Sequence, residues 1–323
     1  QTLDGPDAMA LAAIEKGISE GRAGLGSIYT WSNGNGLGNL DQSNKDGYAN
    51  SRYTIAVGAV NWQGEQTSYS ETGSNLLVSA PSSNQTDSPS DPSVFTTDIS
   101  GIEGEDSTDY TSKMFGTSAA TPMVAGVVAL MLEANENLTW RDVQHILVKT
   151  SRKVDEDHPG WFKTKVGNDY NHAYGYGLVD ATAAVNMAES WQAIYSEIVV
   201  STGEITVDSL IYDNDEVGAS SSVFVNQSMN IESVEILVDV NHFSRGDLNL
   251  FLTSPNGVVS ELVLENPDLG FHYQDWTFSS VVHWDENSFG EWTLKVIDSK
   301  SGGSSTGEFR SWDLTFYGTA DDD

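Results

Sequence analysis

The chain has 323 residues, room for two domains of ~100 to 200 residues each, and its 38% hydrophobic content with nine tryptophans supplies a core. Asp and Glu number 47 against 15 Lys and Arg, a formal net charge of −32 that excludes nucleic acid as a partner, because a polyanion is repelled instead of trading counterions for lysines. Cysteine is absent, so disulfides and zinc-thiolate sites are excluded, and no apolar run reaches the ~18 residues of a membrane helix, so a soluble chain is expected.

Asp7 to Gly21 reads as an amphipathic helix, with Met9, Ala13, Ile14 and Ile18 on its inner stripe and Glu15 and Ser19 outside. Leu25 to Trp31 reads as a buried strand ending in the turn Asn33-Gly34-Asn35-Gly36, and Tyr53 to Val60 as a continuous apolar strand of the kind parallel sheets bury on both faces. Ser79 to Lys113 is rich in Ser, Asp, Pro and Thr, and is expected to be a long surface connection around one short strand, Val94 to Thr97. Helices are predicted over Thr121–Glu133 and Trp140–Thr150, which with the strands make the C-terminal half of a doubly wound α/β domain with a parallel sheet. Past Trp191 the period changes to two. Val234–Val240, Asp247–Leu252, Glu291–Ile297 and Trp312–Tyr317 alternate as strands, with a turn at Ser254-Pro255-Asn256-Gly257, and indicate an all-β sandwich or jelly roll. The boundary is placed at about 195, giving domains 1–195 and 196–323.

The run Gly116-Thr117-Ser118-Ala119-Ala120-Thr121-Pro122-Met123-Val124-Ala125-Gly126 sets a serine hydroxyl among small residues at the start of an apolar helix. Small neighbours allow close approach, Pro122 is accepted in a first helical turn, and the helix N-terminus favours a developing oxyanion. A bare Ser-Ala-Ala is more often an N-cap; the whole run is not. It resembles the serine motif of subtilisin-like proteases, and the following Leu132 to Gln144 resembles the kexin and furin group, the proprotein convertases. The likeness extends from about Thr2 to Ala320. Downstream, Arg245-Gly246-Asp247-Leu248, the Ser254 turn, Asp275-Trp276, His283-Trp284-Asp285, Gly290-Glu291-Trp292 and Tyr317 to Ala320 resemble the P domain of that group, a β jelly roll that packs on the catalytic domain and supports its folding. Arg245-Gly246-Asp247 is read as structural, not as an adhesion motif.

The resemblance implies a calcium-dependent serine endopeptidase, secreted, without a membrane span and monomeric, that cleaves polypeptides after basic residues, paired ones above all. Ser118 would be the nucleophile and Asn35, in Trp31-Ser32-Asn33-Gly34-Asn35-Gly36, the oxyanion donor, with Ser32 beside the substrate. Leu37 departs from the glycine of the family turn. Asp46, in Asp46-Gly47-Tyr48, would receive the arginine or lysine before the cut, and Tyr48 and Asp4 a basic group farther upstream. Asp41 and Glu71 would hold Ca²⁺ with a third ligand from elsewhere. Asp213 to Gly218 only hints at a calcium loop and is read as an acidic turn, because Val217 cannot serve as its side-chain ligand. The family's acid and base should precede the serine, yet His145, His158, His172, His242, His272 and His283 all follow it. The expectation is therefore that Gln1 lies inside a catalytic domain whose first half, with both missing groups and any signal peptide, is encoded upstream, and that this piece alone is inactive. The alternative is a non-catalytic protease-like scaffold whose β domain binds or adheres; retention of Ser118 and Asn35 argues against it.

Overall fold

Asp7 caps the first helix, its carboxylate accepting from the Ala10 N–H at 2.8 Å, and α1 (Ala8–Glu20) follows. The computed structural model describes residues 3–84, 92–301 and 306–321, so the Ser/Pro-rich stretch at 85–91 lies outside the described residues. The inner face of α1 is Ala10, Ile14, Gly17 and Ile18, not the expected stripe through Met9 and Ala13, which are exposed. Gly17 sets that rotation: a side-chain carbon there would sit 1.9 Å from the Tyr29 hydroxyl.

Strands β1 (Tyr29–Ser32), β2 (Thr54–Val60) and β3 (Leu76–Pro81) form a parallel sheet in that order. Every residue of β2 is buried, as a central strand requires. Strand β1 is shorter than predicted and half-exposed, because Leu25 closes a preceding 3-10 turn and only β2 pairs with β1 among the described residues. Sequence reasoning missed β3, whose apolar run Leu76-Leu77-Val78 abuts the polar stretch read as a loop. Strands β4 (Val94–Thr97) and β5 (Tyr110–Met114) then pair as an antiparallel hairpin that leads into α2 (Thr117–Ala134).

Helix α2 starts one turn earlier than predicted, because Gly116 at φ 92° turns the chain where a side chain would be strained. Pro122 is consequently its sixth residue, not in the first turn, and its ring nitrogen cannot donate to the Ser118 carbonyl. At 18 residues and mean hydropathy 1.4, α2 is long and apolar enough to cross a membrane, contrary to the expectation from composition. Here Ala120, Val124, Val127, Val128 and Met131 instead join the sheet residues Ile55, Val57 and Val78 in one core. Helix α3 (Trp140–Thr150) begins with a capping box between Thr139 and Asp142. A short hairpin of β6 (Phe162–Lys163) and β7 (Asp169–Tyr170) and helix α4 (Ala181–Ser190) complete this α/β unit.

The remaining strands are β8 (Ile198–Ser201), β9 (Ile205–Ile211), β10 (Asp215–Val225), β11 (Met229–Asn241), β12 (Leu248–Thr253), β13 (Val259–Val263), β14 (Tyr273–Ser280), β15 (Gly290–Asp298) and β16 (Gly307–Ala320). They build two antiparallel sheets, β10-β15-β12-β13 and β14-β11-β16-β8 with β9 also on β16. Alternating burial along β12, β15 and β16 sends Trp292, Trp312, Phe309 and Phe316 into a shared core. The fold is thus an α/β domain built on a parallel sheet followed by an all-β domain of two antiparallel sheets. Arg245 to Asp247 form a 3-10 turn ahead of β12, not part of a strand, and Arg245 pairs with Asp268 at 2.8 Å.

The two units share a polar and aromatic seam. Trp284, from the β unit, is fully buried in the α/β core and donates its indole N–H to His145 Nδ1 at 3.1 Å. Glu232 accepts from Arg141 Nε and Nη2 and lies 2.9 Å from His145 Nε2. Nearby, His172 Nε2 accepts from the Glu261 backbone N–H at 3.0 Å, and burial, with His283 close by, pushes its pKa down to about 4. A histidine depressed in the folded state stabilises the fold above its unfolded pKa of about 6.5, and that stability drains as pH falls through about 4. Urea unfolding is therefore expected to show a loss of about 3 kcal/mol between pH 6.5 and 4, flattened in His172→Gln; an unchanged slope in the variant would refute this.

Candidate functional site

Ser118 is the second residue of α2 and is exposed between buried Thr117 and Ala119. Gly116 brings it there: the buried glycine donates its N–H to the Tyr69 hydroxyl and accepts at its carbonyl from Ser82 Oγ at 2.9 Å. The helix entry is thereby pinned from both sides, and Ser118 stands at its positive end. Its hydroxyl has no hydrogen-bond partner among the described residues.

The turn after β1 places Asn35 against Thr117, the residue before this serine. Asn35 Oδ1 accepts from both the Thr117 backbone N–H, at 2.9 Å, and Thr117 Oγ1, at 3.0 Å. Double acceptance fixes which end of the amide is oxygen, so Nδ2 is the free donor, presented on an exposed side chain one residue from Ser118. Asn33, the other asparagine of the turn, is fully buried and donates to the Glu71 carbonyl, which leaves Asn35 as the donor at the surface. Gly34 at φ 110° is required, since a side-chain carbon there would lie 2.2 Å from Glu71 Oε1. Leu37 opens a 3-10 turn and donates to the Tyr69 carbonyl at 3.1 Å, so the departure from glycine is accommodated.

Asp4, Gly34, Asp41, Gln42, Lys45, Asp46 and Glu71 line one cavity of about 250 Å³. Asp46 Oδ1 accepts from the Tyr48 N–H at 2.8 Å and the Ala49 N–H at 3.3 Å, while Oδ2 has no donor among the described residues. Asp4 bridges alongside it, the Gly47 N–H donating to the Asp4 carbonyl at 2.6 Å. Tyr48 is not in the cavity wall: its ring stacks on Trp31 at 4.6 Å and 7°. Ser32 closes β1 opposite Val57, at the root of the Asn35 turn. The structure therefore gathers Ser118 with Asn35, and Asp46 with Asp4, Asp41 and Glu71, on the two sides of the Gly34 turn.

Glu71 is buried and accepts from the Gly36 N–H at 2.8 Å. Burial and the neighbouring Asp41 carboxylate push its pKa up to about 8, the state of a carboxylate that lacks a counter-charge. An all-oxygen pair of this kind suits a hard divalent cation. No group of three or more His, Asp or Glu side chains able to hold a metal occurs among the described residues, so Asp41 and Glu71 alone would not complete a coordination shell.

The histidines are engaged elsewhere. One constellation does have the connectivity of a serine, base and carboxylate: Ser260 Oγ is 2.9 Å from His283 Nε2, and His283 Nδ1 is 3.3 Å from Glu286 Oε2. All three are buried at 0 to 1% exposure, so no substrate reaches them, and the trio is part of the seam. Sequence reasoning had no signal for it, since the pairing depends on how the β unit folds.

Residues 1–177 match the family described as subtilase, and residues 231–316 match the proprotein convertase P-domain. Among curated proteins, proprotein convertase subtilisin/kexin type 4 of Homo sapiens is 36% identical over 328 residues, spanning 100% of this chain and 42% of that protein. Furin-1 of Xenopus laevis is 36% identical over 332 residues, spanning 99% and 40%. The chain thus covers about two fifths of the length of these relatives. Among solved structures, the serine protease of Aeromonas sobria superposes with TM-score 0.88 over 98% of this chain and 70% of that one, at 24% identity, which shows the fold.

Proposed function

We infer, for a chain that belongs to the subtilase family and to its kexin/furin group, that it supplies the nucleophile, oxyanion donor and specificity pocket of a secreted serine endopeptidase cleaving polypeptides after basic residues. One observation carries this: Thr117 clamps Asn35 Oδ1, which leaves the amide N–H free on an exposed side chain bonded to the residue before the exposed, helix-mounted Ser118. Ser118 Oγ attacks the carbonyl carbon, the developing oxyanion accepts from Asn35 Nδ2, and the positive end of α2 favours the same charge. The base that takes the serine proton, and the carboxylate that orients it, come from a segment outside this chain. Exposed surface supports that assignment: β1 is unpaired on one side among the described residues, and α2 leaves Ala125, Gly126, Ala129 and Leu130 exposed, Leu130 by 49%. Asp46 selects the basic side chain, with Asp4 and Tyr48 placed for the preceding basic group. In the assembled protease, Asn35→Ala is expected to lower kcat by about 10²- to 10³-fold with KM little changed. Equal loss in KM, or none in kcat, would remove Asn35 from the oxyanion site.

Calcium is the cofactor we assign to Asp41 and Glu71, completed by carbonyls, water or ligands of another segment. Bound there it would supply the counter-charge that Glu71 lacks and stiffen the floor of the Asp46 cavity. Millimolar Ca²⁺ is expected to raise the thermal midpoint, and Glu71→Gln to abolish the rise. A rise that persists in Glu71→Gln places the ion elsewhere.

A further inference from the structure

The segment that carries Asp46 is held from outside its own domain. Gln42 forms a closed two-bond pair with Leu264, its Nε2 donating to the carbonyl and its Oε1 accepting from the N–H, both at 2.7 Å. Asn44 does the same with Ser279, at 3.0 and 2.9 Å, and Asn50 Nδ2 donates to the Thr277 carbonyl at 2.9 Å. These amides mimic strand pairing, so the β unit treats this segment as an added edge. Between them Lys45 sends its ammonium to Asp268 Oδ2 at 2.8 Å and Asn266 Oδ1 at 3.0 Å, with both ion-pair side chains 2% exposed.

We propose that Lys45 and Asp268 are a positioning pair through which the β domain fixes the direction of Asp46 and so sets the affinity of the primary pocket for a basic side chain. The proposal rests on the reading of Asp46 given above. Lys45 and Asp46 are consecutive residues that both border the cavity, and the Lys45 ammonium is anchored in the β unit. Asp268 is itself rigid, because Arg245 Nε donates to it at 2.8 Å and the Gly270 N–H at 2.7 Å. Any slack in Lys45 therefore passes to the next Cα and to the turn whose Tyr48 and Ala49 N–H groups hold Asp46 Oδ1, so the direction of Oδ2 moves with it. The buried polar strap costs desolvation that an apolar contact would not, which makes placement, more than stability, its use.

The 323-residue chain is titrated with para-aminobenzamidine, whose amidinium stands in for the basic side chain and whose fluorescence reports binding. Asp46→Asn is expected to lose the probe, while Lys45→Arg, which keeps the charge, stays within about threefold of the parent. Lys45→Met leaves Asp268 paired with Arg245 and the Gly270 N–H, so no charge is buried alone, and it is expected to keep a near-parental thermal midpoint while binding about tenfold more weakly. Asn50→Ala, which loosens the same segment from outside the cavity wall without unpairing a charge, is expected to weaken the probe several-fold well below its thermal midpoint. Parental affinity in both Lys45→Met and Asn50→Ala overturns the positioning role and leaves the pair a domain fastener. If parent and Asp46→Asn bind the probe equally, the basic-pocket reading itself fails, and this inference with it.

Discussion

Ser118→Ala is expected to lower kcat of the assembled protease by about 10⁶-fold, leaving the residual rate that oxyanion stabilisation and binding supply alone. The companion expectation concerns the chain by itself. A serine hydroxyl is a weak nucleophile until a base takes its proton, and among the described residues no imidazole is bonded to Ser118, each having at least one ring nitrogen engaged elsewhere. His145 is tied to Glu232 and Trp284, His158 to Asn171, His172 to Glu261, His242 to Asp298, His272 to the His242 N–H, and His283 to Ser260 and Glu286. A fluorophosphonate probe is therefore expected to leave the isolated chain unlabelled and to label it, at Ser118, once a segment bearing an aspartate and a histidine is supplied in trans. Labelling of the isolated chain that disappears in Ser118→Ala would show that a base is already within reach.

The parts of the site written in one contiguous stretch were legible before the fold was known. Gly116 to Gly126 specified a serine at a helix start, because glycine, small residues and an apolar run are all local instructions. Asn35 is preferred to Asn33 on the resemblance of the turn; burial of Asn33 and the Thr117 clamp, both tertiary facts, support that preference. Strand β3 was lost because its apolar run is short and flanked by serine and asparagine, and only pairing with β2 makes it a strand. The inner stripe of α1 shifted because the partner, Tyr29, is set by the fold and not by helical period. The straps from Gln42, Asn44, Lys45 and Asn50 were invisible for the same reason: their partners lie more than two hundred residues away.

Asp46→Asn is expected to cut the preference for arginine over norleucine before the cleaved bond by about 10²- to 10³-fold, mostly through the arginine substrate. Asparagine keeps an oxygen that accepts from the Tyr48 and Ala49 N–H groups, so the turn survives and the change isolates the charge. Asp46→Ala removes both, and should relax discrimination further while also lowering the thermal midpoint by the loss of that turn. Selectivity arises because a guanidinium entering the cavity satisfies a carboxylate oxygen that otherwise has no donor, whereas a neutral side chain leaves it desolvated and unpaired. Asp4 and Asp41 line the same cavity, so a remnant preference for cations should persist in both variants. That remnant should weaken when Ca²⁺ is added, because an ion held by Asp41 and Glu71 cancels the charge that sustains it. A panel of peptides varied only before the cut, measured with and without the ion, separates the two contributions; full parental discrimination in Asp46→Asn would show that arginine is read by some other group.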